Sequence, residues 1–272
     1  MPEPAPAPNG DYTTFATHYD QIMRSGYYDY EGIAGQLAAH LGAAGADTVL
    51  EIGVGTGLIV EQLLALHPQV HVDGVDLTEA MLDVARDRLA PHLGHRVTLH
   101  RQNVLDLDLP RRYRAAFSYG GVWYFVPDGG STWSLISHLR EDADNEQAIE
   151  RLGAHVVPGG TLLLGVQAPH SDYARPVPDD GADGDHRQDL QYAQRIEPLP
   201  GGFRKHYTLT QQTDRATDRP GPDTTRTLME QTTDYAVHAW QDALALLAKG
   251  GFELDAPGDR DAAPLFLSFT RR

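Results

Sequence analysis

Val49-Leu50-Glu51-Ile52-Gly53-Val54-Gly55-Thr56-Gly57 sets the architecture of the chain. TVLEI is a short apolar run bounded by turn residues, which reads as a buried strand. Glycines then recur at alternate positions, and LIVEQLLAL follows with helical spacing until His67-Pro68 stops it. Glycine in such a turn allows a tight bend and lets a ligand approach the backbone closely. The N–H groups at the start of the helix are free to receive an anionic group. A tight turn with no ligand is the plainer reading. Against it stands Asp76, which closes the next apolar run, where a carboxylate can accept hydrogen bonds from ribose hydroxyls. A nicotinamide site would require glycine at position 58, but Leu58 stands there and the third glycine falls at Gly57.

Outward from this turn, strands and helices alternate. VHVDGVD reads as a second strand, and TEAMLDVARDRLA as a helix with Thr78 as its N-cap. RVTLHRQNV reads as a third strand and YRAAFSYG as a fourth. A helix from about Asn145 to His155, the turn Pro158-Gly159-Gly160 and the fifth strand TLLLGVQ complete the series. Such alternation over residues 47–167 predicts a doubly wound, mostly parallel sheet of Rossmann-like type. Residues 168–186, rich in Pro, Asp and Gly, read as loop. LQYAQRIEPL, FRKHYTLTQQ and TRTLMEQTTDYAV then read as three strands with no helix between them, an antiparallel insert over 168–237. AWQDALALLAKGGF returns to helix, and LFLSFT is a last strand expected antiparallel near one edge of a core sheet expected to have seven strands. Ahead of the core lie a Pro/Ala-rich tail over residues 1–10, expected to be disordered, and a tyrosine-rich lid and helix over 11–46.

The glycine turn with its matching acid resembles the class I S-adenosylmethionine-dependent methyltransferases. Their first motif is an acid–x–Gly–x–Gly–x–Gly turn, matched by Glu51 to Gly57, and their second is the acid at Asp76. Asn103, followed by Val104, stands where that family usually has Asp, and Ser118-Tyr119-Gly120-Gly121-Val122 matches the motif after strand four. The resemblance covers about Tyr12 to Gln167. It implies S-adenosylmethionine as cofactor, held by Glu51, Gly53, Val54, Gly55, Thr56 and Gly57 in the turn. Asp76, Leu77 and Met81 are then expected at the ribose and adenine, and Asn103 and Val104 at the adenine edge. Tyr119, Gly120 and Gly121 would flank the sulfonium.

The layout is closest to small-molecule N-methyltransferases acting on amino acids or aminosugars, in which a Tyr-Asp pair in an N-terminal lid meets the cofactor, here Tyr19-Asp20. That subgroup inserts antiparallel strands after strand five, which cover the substrate and can build subunit contacts, so a homodimer through the insert is expected. The implied activity is methyl transfer to a small polar amine. Expected substrate contacts are Tyr27, Tyr28, Trp123, Tyr173 and Arg204. Expected catalytic side chains are Tyr19, His170 and His206; period two places Arg204 and His206 on one strand face, where they could bind a carboxylate and accept a proton. A solvent-facing strand surface is the competing reading of that pair. Ring faces attract a sulfonium, which suits the aromatic content of this region.

Composition narrows the alternatives. The 272 residues carry 22 basic and 38 acidic side chains, net −16, which disfavours phosphate backbones and anionic membranes as partners. With no cysteine, thiolate metal sites, Fe–S clusters and disulfides are excluded. No apolar run is long enough to span a membrane and no basic–apolar leader opens the chain, so a cytoplasmic location is expected. The pairs His67/His71 and His92/His95 suggest no third ligand, so no metal is expected. The acidic run over residues 179–185 does not fit a calcium loop. Ala116-Phe117-Ser118-Tyr119-Gly120 resembles a hydrolase elbow, but glycines and Pro127 break the helix that an elbow requires. Two alternatives keep the cofactor: an enzyme using its aminocarboxypropyl arm, for example by cyclisation to azetidine-2-carboxylate, and a non-catalytic binder.

Overall fold

The computed structural model describes residues 12–130, 132–177, 189–212, 225–255 and 264–272. The tail over 1–10 and the acidic run over 179–185 lie outside the described residues. The first sheet has seven strands: β1 (Thr48–Ile52), β2 (His71–Asp76), β3 (Val97–Arg101), β4 (Tyr113–Ser118), β7 (Val156–Gly165), β12 (Phe252–Leu254) and β13 (Phe266–Arg271). Their order is β12-β13-β7-β4-β1-β2-β3. The pairs among β3, β2, β1, β4 and β7 are parallel, and β13 runs antiparallel beside β7, as expected of the last strand. The Pro158-Gly159-Gly160 stretch bulges out of β7: Tyr113 faces Val156, whereas Ala115 already faces Thr161.

Successive side chains of each central strand enter opposite layers. Leu50, Ile52, Ala116, Leu162 and Leu164 pack with α5 (Asp142–His155) and α6 (Trp240–Lys249). Val49, Ala115, Phe117 and Leu163 pack with α2 (Tyr30–Ala44) and α3 (Leu58–Leu66). This two-sided burial is why the strands read as continuous apolar runs. The α2 helix starts where the Asp29 side chain accepts from Gly32 N at 3.0 Å, and ends at Gly45 in the left-handed region. Thr78 starts α4 (Glu79–Leu89) by backbone geometry, but its hydroxyl does not cap the helix; it accepts from Tyr12 N at 3.0 Å.

The second sheet is antiparallel throughout, in the order β5-β6-β11-β10-β9-β8. The three strands expected in the insert are β9 (Asp189–Leu199), β10 (Gly202–Gln212) and β11 (Thr225–His238). Three more were not anticipated: β5 (Trp123–Pro127), β6 (Trp133–Ser137) and β8 (Tyr173–Val177). The last corrects the reading of 168–186 as loop throughout. Pro176 is tolerated there because β8 is an edge strand. The two sheets meet where Gln167 N donates to Phe125 O at 2.8 Å, just past β7. Helix α1 (Thr13–Arg24) packs Phe15, Ile22 and Met23 against Tyr192, Tyr207 and Leu209 of the second sheet and against Leu58 and Met81 of the first layer. It therefore bridges the insert and the carboxyl ends of the parallel strands. No described helix is long and apolar enough to cross a membrane.

Candidate active site

A cavity of about 1040 Å³, mouth included, lies between the carboxyl ends of β1–β4, helix α1 and the second sheet. At its first end stand Gly53, Gly55, Asp76, Leu77, Met81, Gln102, Asn103, Val104, Gly120 and Gly121. Gly53 has φ +77°, and a Cβ there would come within 2.6 Å of the Gly121 Cα. The turns after β1 and β4 therefore touch backbone to backbone, which only glycine at both positions allows. Gly55 faces open space, and its N–H donates to Asp76 Oδ2 at 2.9 Å. Thr78 N donates to Asp76 Oδ1 at 2.8 Å. The carboxylate is thus held by two backbone donors and retains acceptor capacity on both oxygens. Asn103 Oδ1 accepts from Leu105 N at 3.0 Å and starts a short 3-10 turn beside the cavity.

Glu51, Val54, Thr56 and Gly57 do not line the cavity. Glu51 is buried beneath the turn, and burial first, then the Asp76 charge, pushes its carboxyl well above the usual range. Thr56 points towards the lid: its hydroxyl donates to Asp20 Oδ1 at 2.6 Å. Arg88 also binds Asp20, and additionally reaches the Thr56 carbonyl at 2.8 Å and Glu61 at 3.1 Å. Asp20 is therefore a clasp that fixes α1 to the glycine turn and sets Tyr19 over the cavity.

The second end is aromatic. Tyr12, Tyr27, Tyr28, Tyr124, Tyr207 and Tyr235 line it, with His138, Gln167 and Lys205. Tyr235 Oη lies 2.7 Å from Tyr207 Oη and 3.1 Å from Tyr12 Oη. Burial raises the pKa of each of these phenols, so they stay protonated. Lys205 is 3% exposed, and burial lowers its ammonium to about 7. Its Nζ lies 3.1 Å from His170 Nδ1, and His170 Nε2 lies 2.8 Å from Tyr124 Oη. Burial, reinforced by the Lys205 charge, lowers His138 to about 3 and His170 to about 2, so both imidazoles are neutral at neutral pH.

The structure brings some expected substrate and catalytic residues to this cavity and leaves others outside. Tyr19, Tyr27 and Tyr28 line it. His170 stands behind Lys205 and, with Tyr119 and Tyr173, lines a neighbouring side pocket. The Tyr119 ring turns away to pack on Tyr28 and Phe266. Trp123 is a core residue, fully buried, with its indole N–H on Asn145 Oδ1 at 3.0 Å. Arg204 and His206 share a face as expected, but that face is the outer one. Arg204 pairs with Asp234 at 2.6 and 2.9 Å, and His206 with Glu197 at 2.8 Å. Lys205, between them, points in. The signal was present in the strand: Lys205 has the parity of Tyr207 and Leu209, both buried. Gln167 follows β7 at its carboxyl end, where α/β sheets place ligands, whereas His138 follows β6 of the antiparallel sheet; neither carried a further mark in the sequence. No cluster of three or more side chains suited to a metal occurs among the described residues.

A doubly wound sheet with a glycine turn, an acid at the next strand end and a cavity roofed by an inserted sheet defines a nucleotide-cofactor fold of the methyltransferase type. Residues 49–160 match the family model described as "Methyltransferase domain". A dTDP-3-amino-3,6-dideoxy-alpha-D-glucopyranose N,N-dimethyltransferase of Streptomyces fradiae is 29% identical over 160 residues, 58% of this chain and 55% of the relative. The chain spans about half, or less, of the length of the curated relatives it matches. Among solved structures, a SAM-bound amino pentose methyltransferase of Micromonospora echinaspora aligns at TM-score 0.67 and 21% identity, over 93% of this chain and 96% of its own. DesVI of Streptomyces venezuelae aligns at TM-score 0.70 and 18% identity, over 95% and 98%. These two likenesses establish the fold, insert included.

Proposed function

We propose that this chain methylates an amine of a small polar molecule with S-adenosylmethionine as donor. The observation that carries the reading is one continuous cavity with two chemically distinct ends. At the first end the open Gly55 cradle, Asp76 and Asn103 would hold the aminoacyl arm, ribose and adenine. When bound there, the cofactor supplies an activated methyl on a sulfonium. Tyr19 and Tyr28 line the same cavity, and aromatic rings suit a cation. The second end positions the acceptor, and positioning supplies much of the acceleration in a displacement of this kind. Its wall favours an amine bound neutral, with its lone pair free: apart from Asp76 at the other end, no carboxylate among the described residues lines the cavity to stabilise an ammonium. A general base is then not required before transfer. The aminosugar N,N-dimethyltransferase among the relatives supports an amine acceptor. The alternative that uses the aminocarboxypropyl arm has no support.

The test is incubation with S-adenosylmethionine and a panel of aminosugar nucleotides and amino acids, read by mass spectrometry. The expected result is S-adenosylhomocysteine and a product heavier by one methyl group, both dependent on the amine. Methylthioadenosine formed without any acceptor would overturn the reading.

A further inference from the structure

We infer that the wall around Lys205 is a carboxylate-binding subsite, so that the acceptor is an amine that also bears a carboxylate. This rests on the reading of the cavity as a methyl-acceptor site. Lys205 is buried in that wall, and no carboxylate among the described residues forms an ion pair with it. Its polar partner is His170, and the rings of Tyr235, Phe203 and Tyr207 stand 5.1, 5.9 and 6.0 Å from Nζ. Ring faces soften a buried cation but do not neutralise it. A lysine kept in such a place without a counter-ion is costly unless a ligand brings one.

Further observations give the ligand its chemistry. Gln167 Nε2 is a second donor in the cavity, buried and without a hydrogen-bond partner. Lys205 is the one lysine or arginine among the described lining residues, which match a single negative charge. A carboxylate fits that count, whereas a phosphate dianion leaves one charge uncompensated in an aromatic wall. An amino acid-like ligand with its amine neutral carries net −1, which Lys205 balances.

The titratable groups facing Lys205 are His170 after β7, His138 after β6, Tyr207 on β10 and Tyr235 on β11; behind them Tyr124 on β5 bonds His170, and Tyr12 before α1 bonds Tyr235. The imidazoles stay neutral and the phenols protonated near neutral pH, so Lys205 is the group of this wall that titrates there. A bound carboxylate favours the ammonium and raises its pKa. Carboxylate affinity then falls about tenfold per pH unit above the free midpoint, until the bound midpoint is reached.

The chain has two lysines, Lys205 and Lys249. Lys249 is half-exposed beside Glu146 and serves as an internal reference. Protein grown on lysine labelled at Cε and Nζ gives two signals, to be followed by NMR through a pH titration. The probes are acetate, glycine, inorganic phosphate and methylamine. Acetate and glycine should raise the Lys205 midpoint by a unit or more while Lys249 stays fixed. Lys205→Met should weaken acetate binding at least tenfold and remove its pH dependence. A midpoint moved by phosphate alone, by methylamine alone or by none of the four overturns the inference, and the wild-type titration decides this even if the variant does not fold. Calorimetry with S-adenosylmethionine separates the two readings. Absent cofactor binding sinks the methyltransferase reading, and cofactor binding with an unmoved Lys205 sinks only the carboxylate subsite.

Discussion

Asp20→Ala should undock α1 from the glycine turn. The substitution removes two hydrogen bonds to a carboxylate, from the Thr56 hydroxyl at 2.6 Å and from Arg88. Each bond of this charged type contributes about 1.5–3 kcal/mol. Arg88 is not stranded, because it keeps Glu61 at 3.1 Å and the Thr56 carbonyl at 2.8 Å. The Asp20 side chain is 30% exposed, so water recovers part of the loss. Discounting by half leaves about 2 kcal/mol, or about 30-fold in the opening equilibrium of α1. Amide hydrogen exchange over residues 17–24 reads that equilibrium directly. Exchange there should accelerate by about that factor, while the central strands stay protected. Asp20→Asn keeps an acceptor for Thr56 and should fall between the variant and wild type. Unchanged α1 exchange in Asp20→Ala would refute the clasp and leave the packing of Phe15 on Tyr192 and Tyr207 as what holds the lid.

The other predictions concern the two ends of the cavity, the outer sheet face and a buried acid. Asp76→Ala strands the Gly55 and Thr78 amides, at about 1–3 kcal/mol for each donor left unsatisfied. Cofactor affinity by calorimetry should fall at least tenfold, and unchanged binding would count against the site. Arg204→Ala and His206→Ala should leave kcat and KM unchanged, since both side chains bond outward; lost turnover in either would place that face in catalysis. Burial pushes the Asp73 carboxyl up, but the nearby His100 ring, the Tyr113 hydrogen bond and the Arg111 charge outweigh it and hold it below 3.8. Its stabilisation is therefore complete above pH about 3.8 and is lost as pH falls through the lower folded value. The Tm gap between wild type and Asp73→Asn should be widest at neutral pH and close on acidification, and a gap independent of pH would show that the charge contributes nothing.

Much of this molecule is legible in local sequence, and the parts that are not share a cause. The glycine turn, Asp76 and the alternation of strands and helices are encoded within a few residues of each other, because turns, caps and burial periods are local. Arg204 and His206 were placed on one face correctly, but which face looks inward depends on what the strand packs against. Trp123 and Tyr124 are adjacent and both buried, yet one enters the core and the other the cavity, because strand parity sends them to opposite sides of β5.

The sequence by itself determined the doubly wound core, the position of the turn and the acid opposite it, since steric freedom at glycine and apolar periodicity need no distant partner. Tertiary structure alone decided that β5 and β6 join the insert strands in one sheet, that Asp20 reaches Thr56 and Arg88, and that Lys205 lies buried beside His170 and Tyr124. The Asp20 contacts and the Lys205–His170 contact alone join residues 35 to 68 positions apart. Their energy comes from desolvation and charge pairing that exist only once the sheets have closed around the cavity.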